Sequence, residues 1–331
     1  MDFLKHIDFD RDDGVNLPMI NDFVRNQFYD RVLSRYVRDQ DCTDIGFGTG
    51  LLTMLALKHG ARHVRAFESD ENRFQLGVEI IRRLNLQNQV ELINERYNEQ
   101  YNHQHNPTPV TFAEIVDGNL WGEKLWKCLP KSGSKEIFLP GKYFLELWAV
   151  EVPDAFARAL CKTEKNNKKT IHSPGVDFFS PGVDIDQNFI DTVNQLSNRT
   201  ADTLVKSLPQ GIVKFMRQRD TDWGWTPYMR AIQAGTVVGG YVADAYDPTF
   251  IRFSMLIPTD QWKNSTVLIV PRMGMQQDHD RMYLDTGSWG PAEDPVLLVT
   301  PQHDLIVRHD VQTGQLTYSM KATDIFNESI T

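Results

Sequence analysis

The stretch Asp44-Ile45-Gly46-Phe47-Gly48-Thr49-Gly50-Leu51-Leu52, followed by Glu68, has the residue types of a nucleoside-cofactor floor. Glycines let a backbone approach a ligand at a sharp strand-to-helix turn, where a side chain would clash. Glu68 lies eighteen residues past Gly50, at the carboxyl end of the next strand-like run, where it would accept both hydroxyls of a ribose. A dinucleotide fingerprint has G-x-G-x-x-G spacing and seats a pyrophosphate on a helix N-terminus. The spacing here is G-x-G-x-G, tighter by one residue and preceded by the acid Asp44. That suits a cofactor with an amino acid moiety and a ribose but no phosphate, such as S-adenosylmethionine. A glycine turn of no special purpose is the plain alternative. Farther on, Glu114 and Glu123 bracket a loop, nine residues apart. Two carboxylates converging at a strand end could hold a guanidinium, whose planar fork pairs with them bidentately. Two unrelated surface acids would read the same way.

The elements that must position these groups follow from apolar spacing. Met19 to Tyr36 reads as an amphipathic helix with Ile20, Phe23, Phe28, Val32 and Leu33 for its apolar face. Arg25 lies on it and, by itself, is a solvated helix charge. Leu51 to Leu57 is a helix stopped by Gly60, Val64 to Phe67 a strand, and Glu71 to Leu84 a helix with Phe74, Val78 and Ile81 in step. Val90 to Ile93 and Val110 to Val116 read as strands, with a polar loop at 94–106. Strands alternating with helices give a parallel, doubly wound, Rossmann-like sheet. From Ile137 the pattern turns to β, with strand-like runs at 236–243, 251–257, 265–271, 295–300 and 304–309. This half reads as an antiparallel, β-barrel-like domain. Between 162 and 186 lies a polar stretch carrying Pro-Gly-Val-Asp twice, read as an exposed loop. Residues 186–206 read as one or two helices, with Phe189, Ile190, Val193 and Leu196 on the apolar side.

The bulk properties bound the answer. A chain of 331 residues holds two domains or one large one. No apolar run approaches the ~20 residues that span a bilayer, and the first residues are not those of a signal peptide, so we expect a cytoplasmic protein with no membrane partner. Cys42, Cys128 and Cys161 are few and widely spaced, which suggests a reducing compartment and no metal site. The formal net charge of −9 argues against direct nucleic-acid binding and is compatible with a basic partner.

With these residues in order, the chain resembles the protein arginine methyltransferases, most nearly their monomethylating branch. Met19-Ile20-Asn21-Asp22-Phe23-Val24-Arg25-Asn26 is similar to the family's Met-Leu-x-Asp-x-x-Arg-Asn/Thr helix. The resemblance makes Arg25 the grip on the cofactor carboxylate and places Met19 beside the cofactor. Asp44 to Leu52 resembles the glycine motif, so Gly46, Gly48, Gly50, Leu51 and Leu52 join Asp44 as cofactor residues. Phe67-Glu68-Ser69 resembles the ribose segment, and Ile93-Asn94-Glu95-Arg96-Tyr97-Asn98-Glu99 the segment near the adenine, which adds Ser69, Glu95 and Glu99. Glu114 and Glu123 fall at the family's double-glutamate spacing, with Glu114 counted to both substrate and cofactor. Phe138-Leu139-Pro140 resembles the crossing into the family's barrel. Pro258-Thr259-Asp260-Gln261-Trp262-Lys263 resembles its Thr-His-Trp loop, with Gln261 in place of the histidine that pairs with the helix aspartate, here Asp22.

The resemblance implies a Rossmann-like domain over 1–139 and a barrel-like substrate domain over 140–331, with an inserted arm at about 155–215. It implies methyl transfer from S-adenosyl-L-methionine, leaving S-adenosyl-L-homocysteine, to an arginine of a protein or peptide. Glu114, Glu123, Asp22, Trp262 and Gln261 would form the catalytic set, with no metal, and the arm would support a homodimer. Two other readings stand beside it. One is a catalytically weak scaffold that binds the cofactor, suggested by the lost histidine. The other is a methyltransferase for a small molecule or a non-arginine site.

Overall fold

The computed structural model describes residues 23–97, 108–116, 124–131, 133–151, 183–193, 195, 235–246, 252–257, 267–284, 296–298, 303–310 and 315–322. Helix α1 (Phe23–Tyr36) forms because Phe28, Tyr29, Val32 and Leu33 recur on one face, and all four are buried. Strand β1 (Asp41–Ile45) follows, then α2 (Leu51–Lys58), β2 (His63–Phe67), α3 (Glu71–Arg83), β3 (Val90–Ile93), β4 (Val110–Ala113) and β5 (Ile137–Leu139). Asp70 caps α3: its carboxylate accepts from the Arg73 N–H at 2.9 Å.

These strands make one parallel sheet in the order β3-β2-β1-β4-β5. Strand β1 lies at its centre, buried except at its first residue. The chain runs outward from β1 to β3, then crosses to the other side of β1 for β4. The crevice beyond the carboxyl ends of β1 and β4 is therefore the topological switch point, where open α/β sheets bind ligands. Register makes the ends level. Ile45 pairs with Phe67 and with Ala113, and Phe67 pairs with Ile93. Asn94, Glu68, Gly46 and Glu114 are thus the first residues past one row.

The second half is antiparallel. Strands β6 (Lys142–Glu151), β7 (Thr236–Asp244), β8 (Arg252–Ile257), β9 (Val267–Gln277), β10 (Asp280–Tyr283), β11 (Val296–Leu298), β12 (His303–Asp310) and β13 (Gln315–Ala322) form two sheets. One has the order β10-β9-β6-β7 with β11 also on β9, and the other β13-β12-β8. The parallel and antiparallel arrangements expected from the sequence are both present.

Several boundaries differ from expectation. The apolar run from Ile137 to Trp148 is two strands in different sheets, since β5 pairs parallel to β4 and β6 antiparallel to β7 and β9. The break is Pro140-Gly141, where proline has no N–H for a ladder. The Gly141 N–H instead donates to Gln277 Oε1 at 2.7 Å. The strand expected over Val110 to Val116 stops at Ala113, so Glu114 leaves the ladder. Strand β9 runs six residues past the expected end at 271, through Gly274, and the short β10 and the late β13 lay outside every expected run.

Within the expected arm, residues 187–193 are helical. Phe189 and Val193 are buried and belong to the same continuous core as α1 and the parallel sheet. Asp184 lies 3.9 Å from Lys58 on α2, and Arg83 on α3 reaches Gln195 at 3.5 Å. The described part of the arm thus spends its apolar face on its own chain.

Candidate active site

The turn after β1 is tied to the end of β2, because the N–H groups of Gly46 and Phe47 both donate to the Phe67 carbonyl, at 3.0 and 2.8 Å. Gly46 has φ +88°, and a Cβ there would lie 2.8 Å from Ile115 Cγ2, beside the strand end that carries Glu114. Gly50 starts α2 at φ +84°, and a Cβ there would strike the Phe47 ring at 2.5 Å. Both positions need glycine for conformation and for space. The Phe47 ring, 4% exposed, fills the gap between this turn and Gly77 of α3. Leu51 is buried and Leu52 half-buried, so both anchor the turn to the core.

Glu68 is 4% exposed, yet its carboxylate is well served. Oε2 accepts from the Gly48 N–H at 2.9 Å, and Oε1 from the Asp70 N–H at 2.9 Å and from Arg73 Nε at 3.4 Å. The glycine turn and Glu68 therefore hold each other in place. Each carboxylate oxygen has two lone pairs, so these three contacts leave one acceptor site open, on Oε2, and the long Arg73 contact is the one a second hydroxyl would replace. Ser69 and Glu95 are exposed at the rims of β2 and β3.

Asp44 is wholly buried in β1. Its Oδ2 accepts from Thr53 Oγ1 at 2.6 Å, while Oδ1, equally buried, has no hydrogen-bond partner among the described residues. Burial pushes its carboxyl up to about 7; the Thr53 hydrogen bond works against this, and the charges of Glu68 and Glu114 add to it. A buried carboxylate oxygen without a donor is costly unless a cation or donor arrives with a ligand.

The sign of the resulting pH dependence is fixed. An acid whose folded pKa lies above its unfolded value near 3.9 binds more protons folded than unfolded between the two. Asp44 therefore makes the ligand-free chain less stable as pH rises from about 4 to about 7, and adds no slope above that. Urea unfolding of the wild type and of Asp44→Asn across this range is expected to give difference curves that converge toward acid pH. Parallel curves would contradict the assignment.

Glu114 is the first residue past β4 and pairs with Arg25 of α1, Oε1 to Nη1 at 3.0 Å, with the side chains only 12% and 11% exposed. Arg25 is thus no solvated helix charge; α1 aims it at the row of strand ends. One turn farther along α1, the buried Tyr29 hydroxyl donates to the Ala113 carbonyl at 2.7 Å and lies 3.4 Å from Met275 Sδ. Burial pushes the Tyr29 hydroxyl well above the usual tyrosine range, and the Glu114 charge adds to this, so it stays a donor.

The structure therefore brings together Arg25, Asp44, Gly46, Gly48, Gly50, Glu68 and Glu114. Glu123, Met19, Asp22, Glu99, Gln261 and Trp262 lie outside the described residues. Sequence reasoning missed Thr53, Tyr29, Phe47 and Arg73 as supports. Two signals were present: Thr53 is the lone polar residue in the apolar run Leu51–Leu57, and Tyr29 is four residues past Arg25 on one helix.

No family model matches the sequence. Curated relatives do. Protein arginine N-methyltransferase 9 of Xenopus laevis is 30% identical over 155 residues, covering 41% of this chain and 19% of that protein. Protein arginine N-methyltransferase 1.1 of Arabidopsis thaliana is 26% identical over 154 residues, covering 42% and 37%. The chain thus spans less than a fifth of the length of the former. Among solved structures, a crystal structure of PRMT6 with SAH superposes with TM-score 0.54 at 10% identity, covering 92% of this chain and 98% of that one. The expected resemblance to protein arginine methyltransferases, and the fold class of a Rossmann-like parallel sheet with an antiparallel one, are borne out. The relatives bear the names of types 9, 1 and 7, so they do not single out the monomethylating branch.

Proposed function

We propose that this chain, related in sequence and fold to the protein arginine N-methyltransferases, transfers a methyl group from S-adenosylmethionine to a guanidinium nitrogen of an arginine in a protein or peptide. The observation that carries the reading is the level row of strand ends, which gathers an unpartnered buried oxygen of Asp44, the braced carboxylate of Glu68 and the Arg25–Glu114 pair. Glu114 has Arg25 and Glu68 has Arg73 as cationic partners, which leaves Asp44, among the described residues, as the acid without one. This donor and acceptor set fits a cationic amino acid joined to a nucleoside.

When bound, S-adenosylmethionine supplies a methyl group already activated on a sulfonium, so the protein's work is alignment and charge placement. Arg25 would hold the donor's carboxylate, Asp44 its ammonium, and Glu68 its ribose hydroxyls. Glu114 and Glu123 would hold the acceptor guanidinium, concentrate electron density on the attacking nitrogen and stabilise the positive charge of the product. Trp262 would wall the acceptor pocket and stack on the cation, with Gln261 and Asp22 beside it. The monomethylated product belongs to the same proposal.

Calorimetry tests the donor half. S-adenosylhomocysteine is expected to bind at one site, and ATP and NAD, which carry phosphates, are expected to give no heat. Binding of the phosphate-bearing nucleotides in preference would overturn the assignment.

A further inference from the structure

We propose that Asp280, at the start of β10 in the antiparallel half, is a positioning residue for the site at the strand ends: it fixes the seat of α1 and, through that helix, Arg25 and Glu114. The proposal rests on the functional reading above for what the site does, but on geometry alone for how the site is held.

Asp280 is 8% exposed and takes two arginines of α1 at once. Arg31 Nε meets its Oδ1 at 2.7 Å, and Arg35 Nη1 meets its Oδ2 at 2.7 Å. Residues 31 and 35 are one turn apart, so one carboxylate holds two successive turns on a single face. Burial works to raise the Asp280 carboxyl, yet the Arg31 hydrogen bond and the two guanidinium charges outweigh it and hold the group below its ordinary range. The carboxylate is therefore charged at neutral pH. The neighbouring turn adds to the grip. Arg35 Nε lies 3.4 Å from Asp278, and the Tyr36 hydroxyl donates to the Asp278 carboxylate at 2.8 Å. Gln277 Nε2 donates to Tyr36 at 3.0 Å, while its Oε1 accepts the Gly141 N–H at the crossing between the two halves.

The same helix carries Arg25 and Tyr29 at its other end. At 1.5 Å per residue, Arg31 is about 9 Å along the axis from Arg25, a distance a hydrogen-bonded helix spans without bending. Tyr29 sits between, bonded to the strand end beside Glu114 and touching Met275 of β9. A tilt of α1 on the β9–β10 hairpin thus displaces Arg25 relative to Glu114 and Asp44. Small misplacements of such groups cost large factors in rate.

The test is Asp280→Asn in the full chain, which removes the charge with little change in volume. Affinity for S-adenosylhomocysteine and the transfer rate at saturating donor and peptide are each expected to fall about tenfold. Amide hydrogen exchange is expected to speed up about tenfold across 23–36 while staying unchanged across 71–83. Arg82→Gln, which breaks an exposed ion pair with Glu79 on α3, is expected to leave all three readouts at wild-type values. Should Asp280→Asn fail to fold, Arg31→Gln removes the half-exposed partner and reads the same quantities. Wild-type affinity, rate and α1 exchange in the variant that folds would overturn the proposal. A uniform speeding of exchange in α1 and α3 alike would overturn it too, by making Asp280 a general stabiliser. If the wild type itself binds no S-adenosylhomocysteine, the functional reading fails, and α1 exchange alone decides whether Asp280 positions the helix.

Discussion

Replacing Glu114 with glutamine is expected to slow methyl transfer to an arginine peptide by about a hundred- to a thousandfold, the usual cost of removing one preorganised charge at a reacting centre. Glutamine keeps the shape and one acceptor oxygen, so the loss isolates the carboxylate's charge. The structure adds a second consequence, because Glu114 also neutralises Arg25 at 3.0 Å in a site where both side chains are nearly buried. Glu114→Gln leaves Arg25 without that charge, at a cost to stability on the order of 3 kcal/mol. Turnover is therefore to be compared at a temperature where circular dichroism shows both proteins folded. Glu123→Gln is expected to match the loss in turnover while sparing cofactor affinity. Turnover of Glu114→Gln within threefold of wild type would remove the carboxylate from the mechanism. Equal loss of turnover and cofactor affinity in Glu123→Gln would remove that residue from its assigned role.

Arg25 carries the second large effect. Arg25→Gln removes the guanidinium that faces the buried Glu114 carboxylate and, with it, the cation assigned to the donor's carboxylate. Truncating one partner of a buried charged pair costs about 2–5 kcal/mol, so affinity for S-adenosylhomocysteine is expected to fall about a hundredfold. Arg25→Lys is expected to recover little of this, because an ammonium lacks the planar fork that can serve two carboxylates at once. Titration calorimetry reads both variants directly. An affinity for Arg25→Gln within threefold of wild type would show that Arg25 serves Glu114 alone.

The legible part of the site is its local part. Gly46 and Gly50 stand where the backbone has positive φ and where a Cβ would collide, and such a need writes itself into consecutive residues. Glu68 was readable for a related reason, as an acid at the carboxyl end of the next strand. The Arg25–Glu114 pair was not readable from charge and periodicity, since the two residues are 89 positions apart and meet only when α1 folds back over the end of β4. The resemblance to known proteins pointed to Arg25 as a cofactor grip; its ion pair with Glu114 required coordinates. The burial of Asp44 was hidden similarly, because it depends on β2 and β4 closing on either side of β1.

In the second half, alternation located most strands but not their ends. Strand β9 continues through Gly274 because the added residues pair with both β6 and β10. The Asp278-His279 turn that follows carries no glycine, although Asp278 adopts φ +51°. Aspartate tolerates that conformation better than most residues, so a hairpin without Gly was easily passed over. Its significance, that Asp280 just beyond it receives two arginines of α1, is a tertiary fact.

Whether the chain methylates arginine is decided by label transfer. The purified protein is mixed with S-adenosylmethionine labelled in its methyl group and an arginine-rich peptide, beside the same peptide with lysine in place of every arginine and beside Glu114→Gln. Label is expected on the arginine peptide alone, released as methylarginine after hydrolysis and lost in the variant. Label on the lysine peptide to the same extent, or label on the arginine peptide undiminished in Glu114→Gln, would contradict it.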